Sequence, residues 1–321
     1  MTCASKRIAF CPTRASVIEN DLSKKYTCLT NMKRGREHDL HLKRYYAECM
    51  PVDTLFAWMN QANCADQLEC ALFFENGVKR YVSVESNMDL RELLIVKCPL
   101  RMEIGPIYTH TPTKKQIETR EYTNKIEGKP FVLDLDLSDY DGLRKCCVEK
   151  DICGLCWPFI SAACKVLNRK MRENFGFEKV YWVFSGRRGV HCWVWDNHVL
   201  PFDAEMRSAI LENIKQSVIP SEMEKDRETL APYFDVLRDL HQIESTDPLV
   251  IYPRLDEKVT TDMKHLLKAP FCIHPSTGLV CVPFLPDQEF CPFDVPSCNQ
   301  VVENPSLLVP YFQIFDTQLT K

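Results

Sequence analysis

A chain of 321 residues, 45% hydrophobic and 26% charged, can bury a large core as one big domain or two smaller ones. No apolar run approaches the ~18 residues of a membrane span, and residues 1–12 set Lys6 and Arg7 into a short apolar stretch without the core of a secretory signal, so neither a span nor a leader is expected. The net charge of −4 excludes a surface coated in phosphate-binding cations, so any nucleic-acid contact must come from a local patch or a partner.

Residues 1–36 read as an irregular extension ending in the basic Lys33, Arg34 and Arg36. From 38 to 61 a helical period carries Leu40, Tyr45, Leu55, Trp58 and Met59, broken at Pro51. Residues 68–84 predict a hairpin turning at Glu75-Asn76-Gly77, 89–96 a short helix, and 100–108 a strand containing Gly105 and Pro106. Residues 110–128 are polar and read as a long loop. A strand is expected over 131–138, then a helix over 158–175 with Ile160, Ala163, Val166, Leu167 and Met171 on one side. Paired strands follow at 181–184 and 190–195. Residues 203–247 are charged and helical, with Met206, Ile210, Ile214 and Val218 every four residues, and the proline-broken C-terminus returns to short strands. This order predicts an α+β fold, with a core of residues 37–199 and 248–321 interrupted by a helical insertion at 200–247.

Three groups of residues carry chemistry. In Phe131-Val132-Leu133-Asp134-Leu135-Asp136-Leu137 the alternation is strict, so a strand puts Asp134 and Asp136 on one face, ~7 Å apart. Two carboxylates so placed repel unless a positive charge lies between them, and hard divalent cations supply it. A pair of such ions can activate a hydroxyl and stabilise leaving pyrophosphate; the competing reading is a solvated acidic face. Asp256, closing the apolar stretch from Val250, is a third carboxylate, which could equally pair with Arg254.

Ser185-Gly186-Arg187-Arg188-Gly189-Val190-His191 joins two apolar strands. Its glycines permit positive φ and an anion-binding nest, and its arginines bring forked donors suited to phosphate; an exposed hairpin tip is the alternative. Cys146, Cys147, Cys153 and Cys156 place four thiols within eleven residues, the donor set of a closed zinc site, or else two unrelated pairs among seventeen largely buried, reduced cysteines.

Together, Asp134-Leu135-Asp136 followed by Ser138-Asp139-Tyr140-Asp141, the four cysteines, Ser185–His191, Tyr252-Pro253-Arg254-Leu255-Asp256, and Leu266-Leu267-Lys268-Ala269-Pro270-Phe271 with His274-Pro275 resemble the catalytic small subunit of archaeal and eukaryotic primases. The cysteine pattern is similar to the eukaryotic branch, and the likeness runs from about residue 38 to 285. It implies a mixed α/β catalytic core of antiparallel sheets with a zinc-binding knuckle at 146–156 and a helical insertion. It also implies a nucleotidyltransferase that makes short RNA primers on single-stranded DNA from NTPs. By this resemblance Asp134, Asp136 and Asp256 hold two Mg2+ or Mn2+ ions, and the cysteines one Zn2+. Arg80, Ser185, Gly186, Arg187, Arg188, Gly189, His191, His265, Leu266, Leu267, Lys268 and His274 bind the nucleotide. Glu69 joins Asp134 and Asp136 at the catalytic centre, and Glu103 lies near the ribose. The implied partners are a large primase subunit and the replicative DNA polymerase alpha complex, in the nucleus and without a membrane. The residues alone leave open a metal-dependent nuclease or phosphatase and a zinc-stapled scaffold.

Overall fold

The computed structural model describes residues 36–113, 124–215 and 219–320. The predicted extension (save Arg36), the middle of the 110–128 loop and Val218 lie outside them.

Two antiparallel sheets organise the chain. The first is built from β1 (Leu68–Phe74), β2 (Gly77–Val82), β3 (Arg101–Tyr108) and β4 (Ile126–Gly128), in the order β2-β1-β3-β4, with β8 (Leu267–Lys268) also pairing β3. The second runs β5-β7-β6-β9 and contains β5 (Phe131–Asp136), β6 (Val180–Phe184), β7 (Gly189–Val194) and β9 (Pro283–Phe284). Helices α1 (Arg36–Arg44), α2 (Val52–Met59) and α3 (Asn87–Lys97) flank the first sheet in sequence, and α4 (Trp157–Arg169) precedes β6.

Period two governs the second sheet. Its register sets Asp134 opposite His191, Asp136 opposite Gly189 and Val132 opposite Trp193. Directly opposed residues of an antiparallel pair share a face, so this face carries Val132, Asp134, Asp136, His191 and Trp193. Toward Trp193 it is closed by aromatic packing: Trp58 of α2 meets Trp193 and Trp195 edge-on at 5.1 and 5.3 Å and stacks on Phe315. Phe315 belongs to the C-terminal helix α9 (Val309–Leu319). The opposite face packs on α4, whose Asn168 accepts the indole N–H of Trp182 at 3.1 Å. With both faces covered, Val132 is as fully buried as Leu133, and β5 leaves its cover only at the two aspartates.

Helices α5 (Ala204–Lys215) and α6 (Pro220–His241) follow β7. Along α5 Ile214 is buried, Ile210 is half-buried against the core and Met206 is half exposed, so the four-residue repeat of the sequence turns toward the core along its length. On α6, Asp226 is fully buried; it pairs with Arg169 at 2.6 Å and Lys170 at 3.1 Å and accepts the Tyr252 hydroxyl. Those contacts anchor the segment that leads to Asp256.

Two expectations are corrected. The strand at 131 stops at Asp136 and becomes a 3-10 turn, Leu137–Tyr140. The C-terminus is helical beyond β9: α8 (Cys298–Glu303) opens on a Ser297/Gln300 capping box, and α9 follows. Prolines read as strand breakers start turns instead, Pro305 a 3-10 turn and Pro310 α9, because a first-turn N–H needs no helical partner.

Candidate active site

The acidic and basic motifs meet because β5 pairs with β7. Gly186 has φ +88 and lies against His274, where a Cβ would sit 2.5 Å from the histidine's own Cβ. At Gly189 a Cβ would collide with the Leu135 carbonyl. The turn therefore lies flush on the acidic strand, and Leu137 donates its N–H to the Arg188 carbonyl at 3.2 Å. Within the turn the Ser185 hydroxyl accepts the Gly189 N–H at 3.2 Å.

The two aspartates differ. Asp136 is saturated with donors: Arg188 Nε lies 2.6 and 2.8 Å from its two oxygens, and Ser138 adds its N–H and hydroxyl at 2.9 and 2.8 Å. Asp134 receives no hydrogen bond from any described side chain. Burial, then the charges of Asp136, Asp256 and Asp139, push its carboxyl up to about 7. His191 Nε2 stands 3.7 Å from it, beyond hydrogen-bond reach, and burial with the nearby Lys268 charge holds that imidazole neutral, down to about 3. Asp256 is exposed; it donates its backbone N–H to the Asp134 carbonyl at 3.3 Å while its carboxylate caps α7 (Glu257–Thr261) through the Lys258 N–H. The three aspartates are near enough for their charges to act on one another, but their oxygens are not drawn to one point.

Facing them is a cationic cluster. By backbone Lys268 belongs to the first sheet, opposite Glu103 on β3, and by side chain to the second, donating to the Ser185 carbonyl at 3.0 Å. Arg187 reaches the Ser276 hydroxyl at 3.3 Å. His274 accepts from the Ser276 N–H; burial and then Lys268, Arg187 and Arg101 drive its imidazole down to about 2. Thr277 donates to the Gly186 carbonyl at 2.7 Å, and Cys281 to that of Ser185. Among the described residues Arg187 and Lys268 have no carboxylate at bonding distance, an arrangement chemically suited to a polyanion. Arg101 was not read from the sequence: it pairs with Glu103 at 2.7 Å and lies 4.0 Å over the Phe73 ring. Its only signal was alternation with Glu103 on β3.

The remaining expected residues sit at the rim. Glu69 is fully buried and takes a two-pronged contact from Arg80 at 2.8 and 3.1 Å, plus the Tyr108 hydroxyl at 3.2 Å, so these two are partners of each other. Leu266 lies over Gly105, beside Glu69, and Leu267 pairs with Ile104. His265 is half-buried, its N–H bonded to the Asp262 carbonyl.

The four cysteines converge. Their sulfur atoms all lie within 4.8 Å of one another, and Cys153 and Cys156 are 3.9 Å apart. Four thiolates around zinc stand about 3.8 Å apart, given Zn–S bonds of about 2.3 Å, so the donor set and spacing fit that ion. Among the described residues no other group of three or more His, Cys, Asp or Glu side chains gathers so closely. Hydrogen bonds from Cys146 above all hold the Cys153 thiol low, favouring the thiolate. The buried Arg144 binds the knuckle's carbonyls at Glu149 and Asp151 and approaches Cys156 Sγ at 3.9 Å. The Glu149 carbonyl also receives Arg188 at 3.4 Å, so the knuckle touches the arginine turn directly.

The acidic strand thus meets a cationic, glycine-shaped turn. The family of DNA primase small subunits matches residues 133–285. The DNA primase small subunit of Saccharomyces cerevisiae is 31% identical, over 79% of this chain and 83% of its own length. That of Schizosaccharomyces pombe is 28% identical over 86% and 80%, and the archaeal DNA primase small subunit PriS of Pyrobaculum islandicum 25% over 66% and 68%. The polymerase domain from Mycobacterium tuberculosis Ligase D in complex with DNA superposes at a TM-score of 0.42 with 12% identity, over 82% of this chain and 91% of its own. This chain belongs to the DNA primase small subunit family. It is a nucleotidyltransferase, the catalytic subunit that makes primers for replication, which sets aside the nuclease and scaffold readings.

The buried neutral histidines give a pH dependence. His274 protonates in the unfolded chain near 6.5 but in the folded protein only near 2, so the unfolded state takes up the proton first and stability falls as pH drops below about 6.5. Urea unfolding at pH 7, 6 and 5 should show this loss, with a shallower slope in His274→Gln by up to about 1.4 kcal/mol per pH unit. An identical slope in the variant would contradict the neutral assignment.

Proposed function

We propose that this chain extends RNA primers on single-stranded DNA by transferring nucleotides from NTPs, with Asp134, Asp136 and Asp256 as the holders of Mg2+ or Mn2+. The observation that carries this reading is the half-buried Asp134, without a bonded counter-cation among the described residues, set beside a saturated Asp136 and across from Arg187, Lys268 and His274. Hard oxygen donors in a site short of positive charge suit divalent ions. Such ions, when bound, would activate the primer 3′-hydroxyl and neutralise charge on the leaving pyrophosphate.

The protein's own groups do the rest. The turn Ser185–Gly189, with Arg187, Lys268 and the neutral His191 and His274, holds the triphosphate in line for attack on its α-phosphorus, where an O–P bond forms as the bond to pyrophosphate breaks. Arg188 stands on Asp136 and exchanges that carboxylate for phosphate oxygens when nucleotide arrives. Glu69 fixes the guanidinium of Arg80 toward the same cleft. Glu103, oriented by Arg101, lies where the ribose would reach. The four cysteines hold one Zn2+ as a structural ion. Residues 37–199 and 248–321 act as one catalytic core with 200–247 inserted. A net charge of −4 leaves little to grip template, so a large primase subunit supplies those contacts and hands primers to a replicative DNA polymerase alpha complex in the nucleus.

Asp134→Ala and Asp136→Ala should each cut primer extension by ~10³-fold or more, since each is asked to support several kcal/mol of charge stabilisation. Circular dichroism should be unchanged. Near-native extension by folded Asp134→Ala would overturn the assignment. For the knuckle, metal analysis should find about one zinc per chain, and Cys153→Ser should lower Tm more than it alters the rate of transfer. Zinc-free protein with four freely reactive thiols would refute that site.

A further inference from the structure

Lys129 is a charged-type side chain only 1% exposed, one strand-turn ahead of the acidic strand. Among the described residues its amine meets no carboxylate at bonding distance; it donates to two backbone carbonyls, Val259 at 2.9 Å and Asp262 at 3.0 Å. A second buried cation lies alongside, since Arg207 donates to the carbonyls of Lys129 and Pro130. Burial and that neighbour push the Lys129 amine down to about 7. Burying an amine so is costly, and a packed aliphatic side chain would serve a merely structural place better.

What the amine grips explains its retention. Val259 lies in the short helix α7, and Asp262 follows its last residue, Thr261. The residue that opens α7 is Asp256. One residue before its end, the Thr260 hydroxyl donates to the Val132 carbonyl of β5 at 2.6 Å, and at the start the Asp256 N–H meets the Asp134 carbonyl. Helix α7 is thus pinned at three points, twice to the acidic strand and once by Lys129, which lies two residues ahead of β5 and grips α7 at Val259 and just past its end at Asp262. The Asp262 carbonyl also accepts the His265 N–H, so the same amine fixes the start of the loop leading to Lys268.

We propose that Lys129 is a positioning residue for the third carboxylate, holding α7 against β5 so that Asp256 stands in register with Asp134 and Asp136. This rests on the reading of the three aspartates as divalent-cation holders. Removing the amine lets α7 pivot about its hydroxyl pin and loosens Asp256.

The test is Mn2+ binding to the purified full chain without nucleotide, followed by electron paramagnetic resonance, for wild type, Lys129→Met, Thr260→Val and Asp256→Asn. Lys129→Met should weaken Mn2+ about 10-fold, raise by a similar factor the Mn2+ needed for half-maximal primer extension, and keep the rate at saturating Mn2+ within about 3-fold. Thr260→Val, which deletes a different pin of the same helix, should shift Mn2+ affinity the same way, and it decides the matter if Lys129→Met is too unstable to purify. Wild-type affinity in the helix-pin variants, with Asp256→Asn weakened, overturns the proposal alone. Wild-type affinity in Asp256→Asn overturns the cation reading, and the proposal with it. A Lys129→Met protein with lower Tm and a uniformly lower rate at every Mn2+ concentration would mark a structural role only.

Discussion

The antiparallel ladder between β5 and β7 is the contact on which the rest of this molecule depends. It sets Asp134 against His191 and Asp136 against Gly189, and so lays the adjoining hairpin turn beside the two aspartates, with Arg188 on Asp136. A one-residue slip in that register would send both aspartates into the face packed on α4. Register is held by burial on both faces: the tryptophan cluster around Trp58 on one side and α4 on the other leave no alternative pairing that keeps Trp182, Trp193 and Phe131 covered.

Charge then organises what surrounds the ladder. Asp136 is satisfied by Arg188, whereas Asp134 has no bonded cation among the described residues, and burial with the charges of Asp136, Asp256 and Asp139 pushes its carboxyl up to about 7. Across the cleft, burial and then the charges of Lys268, Arg187 and Arg101 hold His274 neutral. Neither side is fully balanced internally; Asp136 has Arg188 and Arg101 has Glu103, but among the described residues Asp134, Arg187 and Lys268 have no bonded partner of opposite charge. On the function proposed above, a nucleoside triphosphate carried with divalent ions would satisfy both at once. The knuckle joins this balance through the Glu149 carbonyl, shared by Arg144 below and Arg188 above.

Much of this was legible in the sequence because it rests on short-range pattern. Alternation through Phe131–Leu137 gave the face of Asp134 and Asp136, and the glycines flanking Arg187 and Arg188 gave the turn. The cysteine spacing gave the four-sulfur cluster. What stayed hidden depends on partners distant in the chain. Nothing local says that Arg80 closes on Glu69, that Arg188 rests on Asp136, or that Lys129 reaches across to α7. The C-terminal helices were missed for a different reason: prolines that break a strand also start a helix, and only the Ser297-to-Gln300 spacing marked the difference.

The central claim is that triphosphate and divalent cation complete each other's site. Calorimetric titration of the full chain with a non-hydrolysable NTP, with and without Mn2+, tests it most directly. The account expects binding that is at least about 10-fold tighter with Mn2+ present, about 1.4 kcal/mol of coupling, and that loses this gain in Asp134→Ala. Equal affinity with and without Mn2+ in the wild-type chain would contradict it.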